Sequence, residues 1–301
     1  PGELGEVIPK RATLDVKPGL VIKQPAMGTR EIGGSAPPGL SRYDALDWRV
    51  KNRMNRAFAL RATLEKESTA RRKLAEAWAD RGGDRKWHWI AHNFIFMFPP
   101  EEKWFERHPE YFALYEGRRR APGSEGKPYY GGGNLALTNR DVIQHVADFS
   151  IKWFNENPRG SVVPLWPNDG AIYWDESPEA MALGGKNFTQ GVEGSMTRRM
   201  VTFANKVAKQ VSEHHGNDKL LLLPAYANYI EPLDDFTLEP NLFVQYCYHG
   251  DYARGPLQSQ ANAKAVERMR AWAAKTEHFG VWEYFLIGDI HETQAKPILL
   301  P

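Results

Sequence analysis

The sequence predicts an α/β fold built on a parallel sheet, and three observations carry that prediction. From Leu135 onward, short apolar runs alternate with segments of helical spacing, as strands joined by right-handed helical crossovers do. The stretch Trp87 to Phe98, WHWIAHNFIFMF, is apolar on both faces when read as a strand, which suits a strand covered on two sides. A chain of 301 residues with 42% hydrophobic content can also bury a sizeable core, in one barrel or two small domains.

Residues 1–42 are rich in Pro and Gly and read as a lead-in or linker remnant, with one short strand in Lys17 to Gln24. A main domain then spans 43–301. Asp44 to Met54 has helical spacing, and Leu64 to Arg81 is a clearer helix, with Leu64, Ala70, Leu74, Ala77 and Trp78 on one face and Gly82 placed to stop it. The strand Trp87 to Phe98 follows. Pro100 opens a short helix at its favoured first position, and His108-Pro109 ends it.

Leu135 to Thr138 is strand-like, and Asn139 is placed to cap a helix over Asp141 to Asn155, whose Val142, Val146, Phe149 and Trp153 share a face. Val162 to Trp166 is the next strand. After a loop at 167–194, Met196, Met200, Phe203, Val207 and Val211 mark a long helix that Gly216 stops. Leu220 to Tyr226 and Leu242 to Tyr248 are strands, Gln258 to Lys275 is a helix, and Val281 to Ile287 is a last strand. An open doubly wound sheet is the alternative arrangement, disfavoured by the long crossovers and by the lack of a Gly-x-Gly-x-x-Gly turn after a strand.

Composition narrows the partners. The 39 basic and 37 acidic side chains leave a net charge of +2, which gives no polyelectrolyte reason to expect nucleic acid. No apolar run reaches the length of a membrane span, and the Pro-Gly start lacks the charged and apolar regions of a signal peptide. The single cysteine, Cys247, has no intrachain partner and reads as a buried thiol. Gly131-Gly132-Gly133 lacks the lysine and Ser/Thr of a phosphate loop, Asn187-Phe188-Thr189 is a glycosylation sequon by letters only, and His214-His215 has no zinc-binding spacing. No metal or cofactor is expected, and nothing fixes an oligomeric state. The ten Trp, twelve Tyr and fourteen Phe are more suggestive, because sugar rings present apolar C–H faces to such side chains.

One stretch carries a family resemblance. His92-Asn93-Phe94, Pro99, His108-Pro109-Glu110-Tyr111-Phe112-Ala113-Leu114 with Gly117 and Arg118, and then Leu135-Ala136-Leu137-Thr138-Asn139 resemble the signature of a large bacterial family. That family is assigned to the glycoside-hydrolase TIM-barrel superfamily and often follows a domain like the N-terminal domain of α-glucuronidases. The resemblance covers roughly Trp48 to Leu300. It implies a (β/α)8 barrel; the six strands from Trp87 fall two short of eight, one being expected from the early segment around Leu20 to Lys23 or Ala57 to Leu60, so the segment is expected to stop before the last strand. It also implies a secreted or periplasmic protein. Related sequences often carry a Cys-x-Cys-x-x-Cys cluster after an Asp-Gly step, whereas Ala171 to Ala180 here has no cysteine and so no thiolate ligands for a structural zinc.

In such a barrel the reacting groups come from the C-terminal ends of the strands. Asp169 follows the strand Val162 to Trp166 in an Asn-Asp pair similar to the acid/base pair of many barrel glycosidases, although Asp-Gly is also a common turn. Asp175 and Glu176 are alternatives in the same loop. Glu283, between Trp282 and Tyr284, is the second carboxylate; the competing reading pairs it with Arg or Lys. Hydrolysis needs two carboxyl groups, about 5 Å apart for retention and roughly 6.5 to 9.5 Å for inversion. His92, Asn93, Asn168 and His249 are expected to contact substrate, and Trp166, Tyr226, Tyr229, Tyr246 and Trp282 to serve as sugar platforms. The expected activity is cleavage of a polysaccharide or acidic oligosaccharide. The rivals are a noncatalytic carbohydrate-binding barrel and a polysaccharide lyase using a Tyr and His pair.

Overall fold

A computed structural model of the chain describes residues 30, 49, 54–55, 86–88, 91–121, 134–168, 173–184, 193–248 and 257–283. The chain divides into two units, Pro1–Arg85 and Lys86–Pro301. In the first, Arg30 and Asn55 are tied twice: Arg30 N–H donates to Asn55 Oδ1 at 2.8 Å, and Asn55 N–H donates to the Arg30 carbonyl at 3.1 Å. The expected strand in 17–24 and the helices at 44–54 and 64–81 lie, single positions aside, outside the described residues. So do the glycine triplet, the sequon, Asp169, His249 and residues 284–287.

The second unit begins with β1, Lys86–Trp87, and continues through α1, Phe94–Met97, a 3-10 turn at Pro100–Glu102, and α2, Trp104–Arg107. A hairpin of β2, Leu114–Tyr115, and β3, Arg118–Arg119, turns through Glu116 and Gly117, both at positive φ. Then come α3, Arg140–Glu156; β4, Gly160–Pro164; α4, Pro178–Gly184; α5, Thr197–His215; β5, Leu220–Ala225; and β6, Leu242–Tyr248. A 3-10 turn at Gln260–Asn262 leads into α6, Ala263–Ala273, and β7, His278–Glu283, ends the series. Two expected punctuation marks are in place. Asn139 Oδ1 accepts from the N–H groups of Asp141 (2.8 Å) and Val142 (3.3 Å) to cap α3, and Gly216, at φ 70°, follows the last turn of α5.

Among the described residues, five strands form one parallel sheet in the order β1-β4-β5-β6-β7. It curls as half of a barrel beside the small antiparallel hairpin. The expectation of a (β/α)8 barrel stopping before its last strand is therefore corrected: the fold is mixed α/β with an open sheet. Two expected strands account for part of the difference. Among the described residues of Trp87 to Phe98, Trp87 alone pairs with β4, and His92, at φ 48°, turns the chain before α1. Phe94, Met97 and Phe98 are buried while Phe96 is exposed, which is helical rather than alternating spacing. Leu135 to Thr138 makes a single antiparallel bridge, Phe112 with Leu135, and turns at once into the Asn139 cap.

Register assigns the two faces of the sheet, because paired residues of parallel strands point the same way. Leu221, Leu223 and Ala225 of β5 pair with Leu242, Val244 and Tyr246 of β6, and all six join the core made with Val146 of α3, Phe203 and Val207 of α5 and Trp272 of α6. The opposite, inner face carries Trp87, Val162, Pro164, Leu222, Pro224, Phe243, Gln245, Cys247, Gly280 and Trp282. Its N-terminal half is an apolar floor: Trp87 meets Phe243 edge-on at 5.5 Å, and a Cβ at Gly280 would fall 2.8 Å from the Phe243 ring. Among the described residues, no helix is long and apolar enough to cross a membrane.

Candidate functional site

The C-terminal edge of this sheet is where the chain gathers its polar and aromatic groups. Its anchor is Asn93, fully buried just before α1. The Asn93 amide donates to the Pro164 carbonyl and accepts from Trp166 N–H at 2.8 Å, so it replaces the strand partner that β4 lacks at its end. This holds the chain extended through Trp166. Asn93, expected to touch substrate, instead spends both ends of its amide on the main chain.

His92 sits beside it. Its Nδ1 lies 2.9 Å from the Pro167 carbonyl, and its ring meets Trp166 at 6.1 Å. Trp166 in turn meets Trp282 edge-on at 5.8 Å, so β7 and the end of β4 are joined across the inner face by aromatic contacts. Trp166 is buried, while His92 and Trp282 are partly exposed. Tyr226, partly exposed and extended, continues the alternation of Leu222 and Pro224 on that same face. Asn168 is buried, and its N–H donates to Asn134 Oδ1 at 3.1 Å. Four of the expected contact residues, His92, Trp166, Tyr226 and Trp282, thus belong to the C-terminal part of the inner face.

Three others do not. Tyr246 lies on the helix side, where its hydroxyl bonds Arg268 and burial raises its pKa. Tyr229 is buried against the edge of Trp174 at 5.6 Å, a core position rather than a platform. Glu283 is the larger correction. It pairs in register with Tyr248 and shares the face of Phe279 and Val281, so it is turned away from Trp282 and from the inner face. The physical reason is parity. Adjacent residues of a strand point to opposite faces, and here Trp282 holds the inward position. Asp169 and His249 lie outside the described residues.

The two alternative carboxylates of the loop are committed elsewhere. Asp175, buried, accepts from Leu114 N–H at 2.7 Å and from the Ser177 hydroxyl at 2.5 Å, with Arg119 at 3.4 Å. Its own carbonyl accepts from Arg199, whose pKa burial pulls down to about 10. Glu176 accepts from Glu116 N–H at 2.8 Å. Both carboxylates pin the β2–β3 hairpin. Arg120 completes that region by lying over the rings of Tyr115 and Tyr173 at 5.1 and 5.0 Å.

Two polar features were not foreseen. One is an ion cluster on the helix side, where Arg268 binds both Glu193 and Glu231 and Lys264 adds contacts at 3.4 and 3.3 Å. The hydrogen bonds from Arg268 hold both carboxyls below the usual range. Burial alone would lower the Arg268 pKa, but its bonds to Glu231 and Glu193 raise it. The other is Gln245, a buried amide on the inner face. It was visible in the sequence as the one polar letter in LFVQYCY. No curated protein matches the chain. A family model does match residues 1–291, and the chain belongs to that family, described as Domain of unknown function (DUF4838).

Proposed function

We propose that the chain is a glycoside hydrolase-like domain that takes up a polysaccharide or acidic oligosaccharide at the C-terminal edge of its parallel sheet. The observation that carries this reading is the aromatic group His92, Trp166 and Trp282, which bridges that edge on the inner face and leaves Trp282 partly open. A rigid indole offers a sugar an apolar surface together with a polar handle. The resemblance in His92-Asn93-Phe94 and in His108 to Leu114 points to the same substrate class and to an exported setting. Cleavage rests on Asp169 together with a second carboxyl group other than Glu283.

Carbohydrate binding without cleavage is the second reading, favoured by the position of Glu283 on the helix side. One pair of measurements separates the two. Affinity electrophoresis through gels containing neutral or uronic-acid polysaccharides should retard the wild-type chain, and Trp282→Ala should restore free migration. Incubation with the retarding polysaccharide should release new reducing ends, and Asp169→Asn should abolish that release while retardation persists. Retardation without release selects the binding reading. If none of the polysaccharides retards the wild-type chain, the carbohydrate assignment is wrong.

A further inference from the structure

We infer that Gln245 and Trp166 form a subsite on the inner face that reads hydroxyl groups of one sugar residue. The inference rests on the carbohydrate reading above and narrows it to a place and a hydrogen-bonding pattern. Gln245 is 7% exposed and its Oε1 accepts no hydrogen bond; Trp166 is 2% exposed and its Nε1–H has no acceptor. A buried amide or indole N–H left unpaired is costly, and at 245 a leucine would fill much the same space without that cost.

The neighbours explain why the fold leaves Gln245 unserved. Its partners in register are Pro224 on β5 and Gly280 on β7, neither of which has a polar side chain. Toward the N-terminal side lie Phe243 and Trp87, which meet edge-on at 5.5 Å. Trp166 follows two residues after Pro164 on the same face, in the row of Pro224 and Gln245. Strands lie about 4.8 Å apart, so the two backbones are separated by roughly 10 Å, and both side chains rise from the same face of the sheet.

The chemistry of the two atoms selects the ligand group. Gln245 Oε1 can only accept and Trp166 Nε1–H can only donate. A carboxylate would serve the indole and, with the amide turned over, its Nε2–H as well, whereas an ammonium group would serve the amide oxygen alone. A hydroxyl both donates and accepts, so a polyhydroxylated ring serves both with one kind of group. Trp282, paired with Cys247 one row nearer the C-terminal edge, is positioned to cover the ring.

The test uses Gln245→Leu and Trp166→Phe in the full chain, with xylotetraose and cellotetraose as probes in calorimetric titrations. The ligand-free Gln245→Leu variant should unfold at or above the wild-type temperature, because it removes an unpaired buried polar atom at little change in volume, whereas Trp166→Phe also gives up part of the ring contacts with His92 and Trp282. Each should also weaken tetrasaccharide binding by about tenfold, the loss expected for one buried hydrogen bond. A Gln245→Leu variant that is less stable than wild type overturns the inference, since the amide then serves the fold through an ordered water. If Gln245→Leu binds as wild type while Trp282→Ala does not bind, the subsite is wrong and the carbohydrate reading stands. If the wild-type chain binds neither tetrasaccharide nor any polysaccharide in the gels, both fall together.

Discussion

Replacing Asn93 by alanine should cost this protein stability rather than affinity. The side chain makes two buried bonds, to the Pro164 carbonyl and from Trp166 N–H, and provides no side-chain cap for α1, so its amide serves the end of β4 alone. Alanine leaves one buried acceptor and one buried donor without partners. At about 2 kcal/mol for each stranded group, the loss is about 4 kcal/mol. For a unit of this size, about 2 to 4 °C per kcal/mol converts that loss into a fall of roughly 10 °C in Tm. Asn93→Asp should be at least as harmful, because the carboxylate still accepts from Trp166 but turns an oxygen toward the Pro164 carbonyl. Thermal and urea unfolding, followed by circular dichroism, measure both. A shift of less than about 2 °C in Asn93→Ala would refute the clamp and return Asn93 to a substrate-contacting role.

Two further outcomes follow from the ion pairs. Glu193 and Glu231 have folded pKa values below their unfolded value near 4.5, so the stability they add is complete above that pH and is lost as pH falls through the lowered folded values. Urea midpoints measured from pH 7 down to pH 3 should fall along this limb, and Arg268→Met should flatten it; an unchanged limb in the variant would show that the cluster does not set acid stability. At the hairpin, Asp175→Ala removes the acceptor of Leu114 N–H, and hydrogen exchange should show faster exchange across 112–119 while the exchange of β5 and β6 stays as in wild type. Uniform acceleration over the whole sheet would mean that Asp175 supports the core and not the hairpin.

Much of the sheet was legible because β5 and β6 announce themselves. Leu220 to Ala225 and Leu242 to Tyr248 are short apolar runs bounded by polar turns and separated from the helices by clear changes of period. The Trp87 stretch was misread because a run apolar on every side fits a strand and a helix equally well; only the burial of Phe94, Met97 and Phe98 together distinguishes them. Leu135 to Leu137 was misread because an apolar triplet can be buried by a single bridge. The site was harder. The alternation of Trp282 and Glu283 was plain, but which one faces inward depends on the register with Cys247 and Tyr248, and register is a property of two strands. Asn93 posed the same difficulty, because its partners Pro164 and Trp166 lie 71 and 73 residues away.

The strands of the main sheet lie side by side in the order in which the chain presents them. During synthesis, each strand therefore emerges next to an edge already in place and never has to insert between two older neighbours. Once β6 has left the ribosome, the ladder from β1 to β6 and the packing of α3 and α5 against it involve only chain already made. Phe243 is then in position before Gly280 arrives beneath its ring. Nascent chains halted after β6 should accordingly resist protease over Gly160 to Tyr248, with β7 closing over an edge that is already ordered.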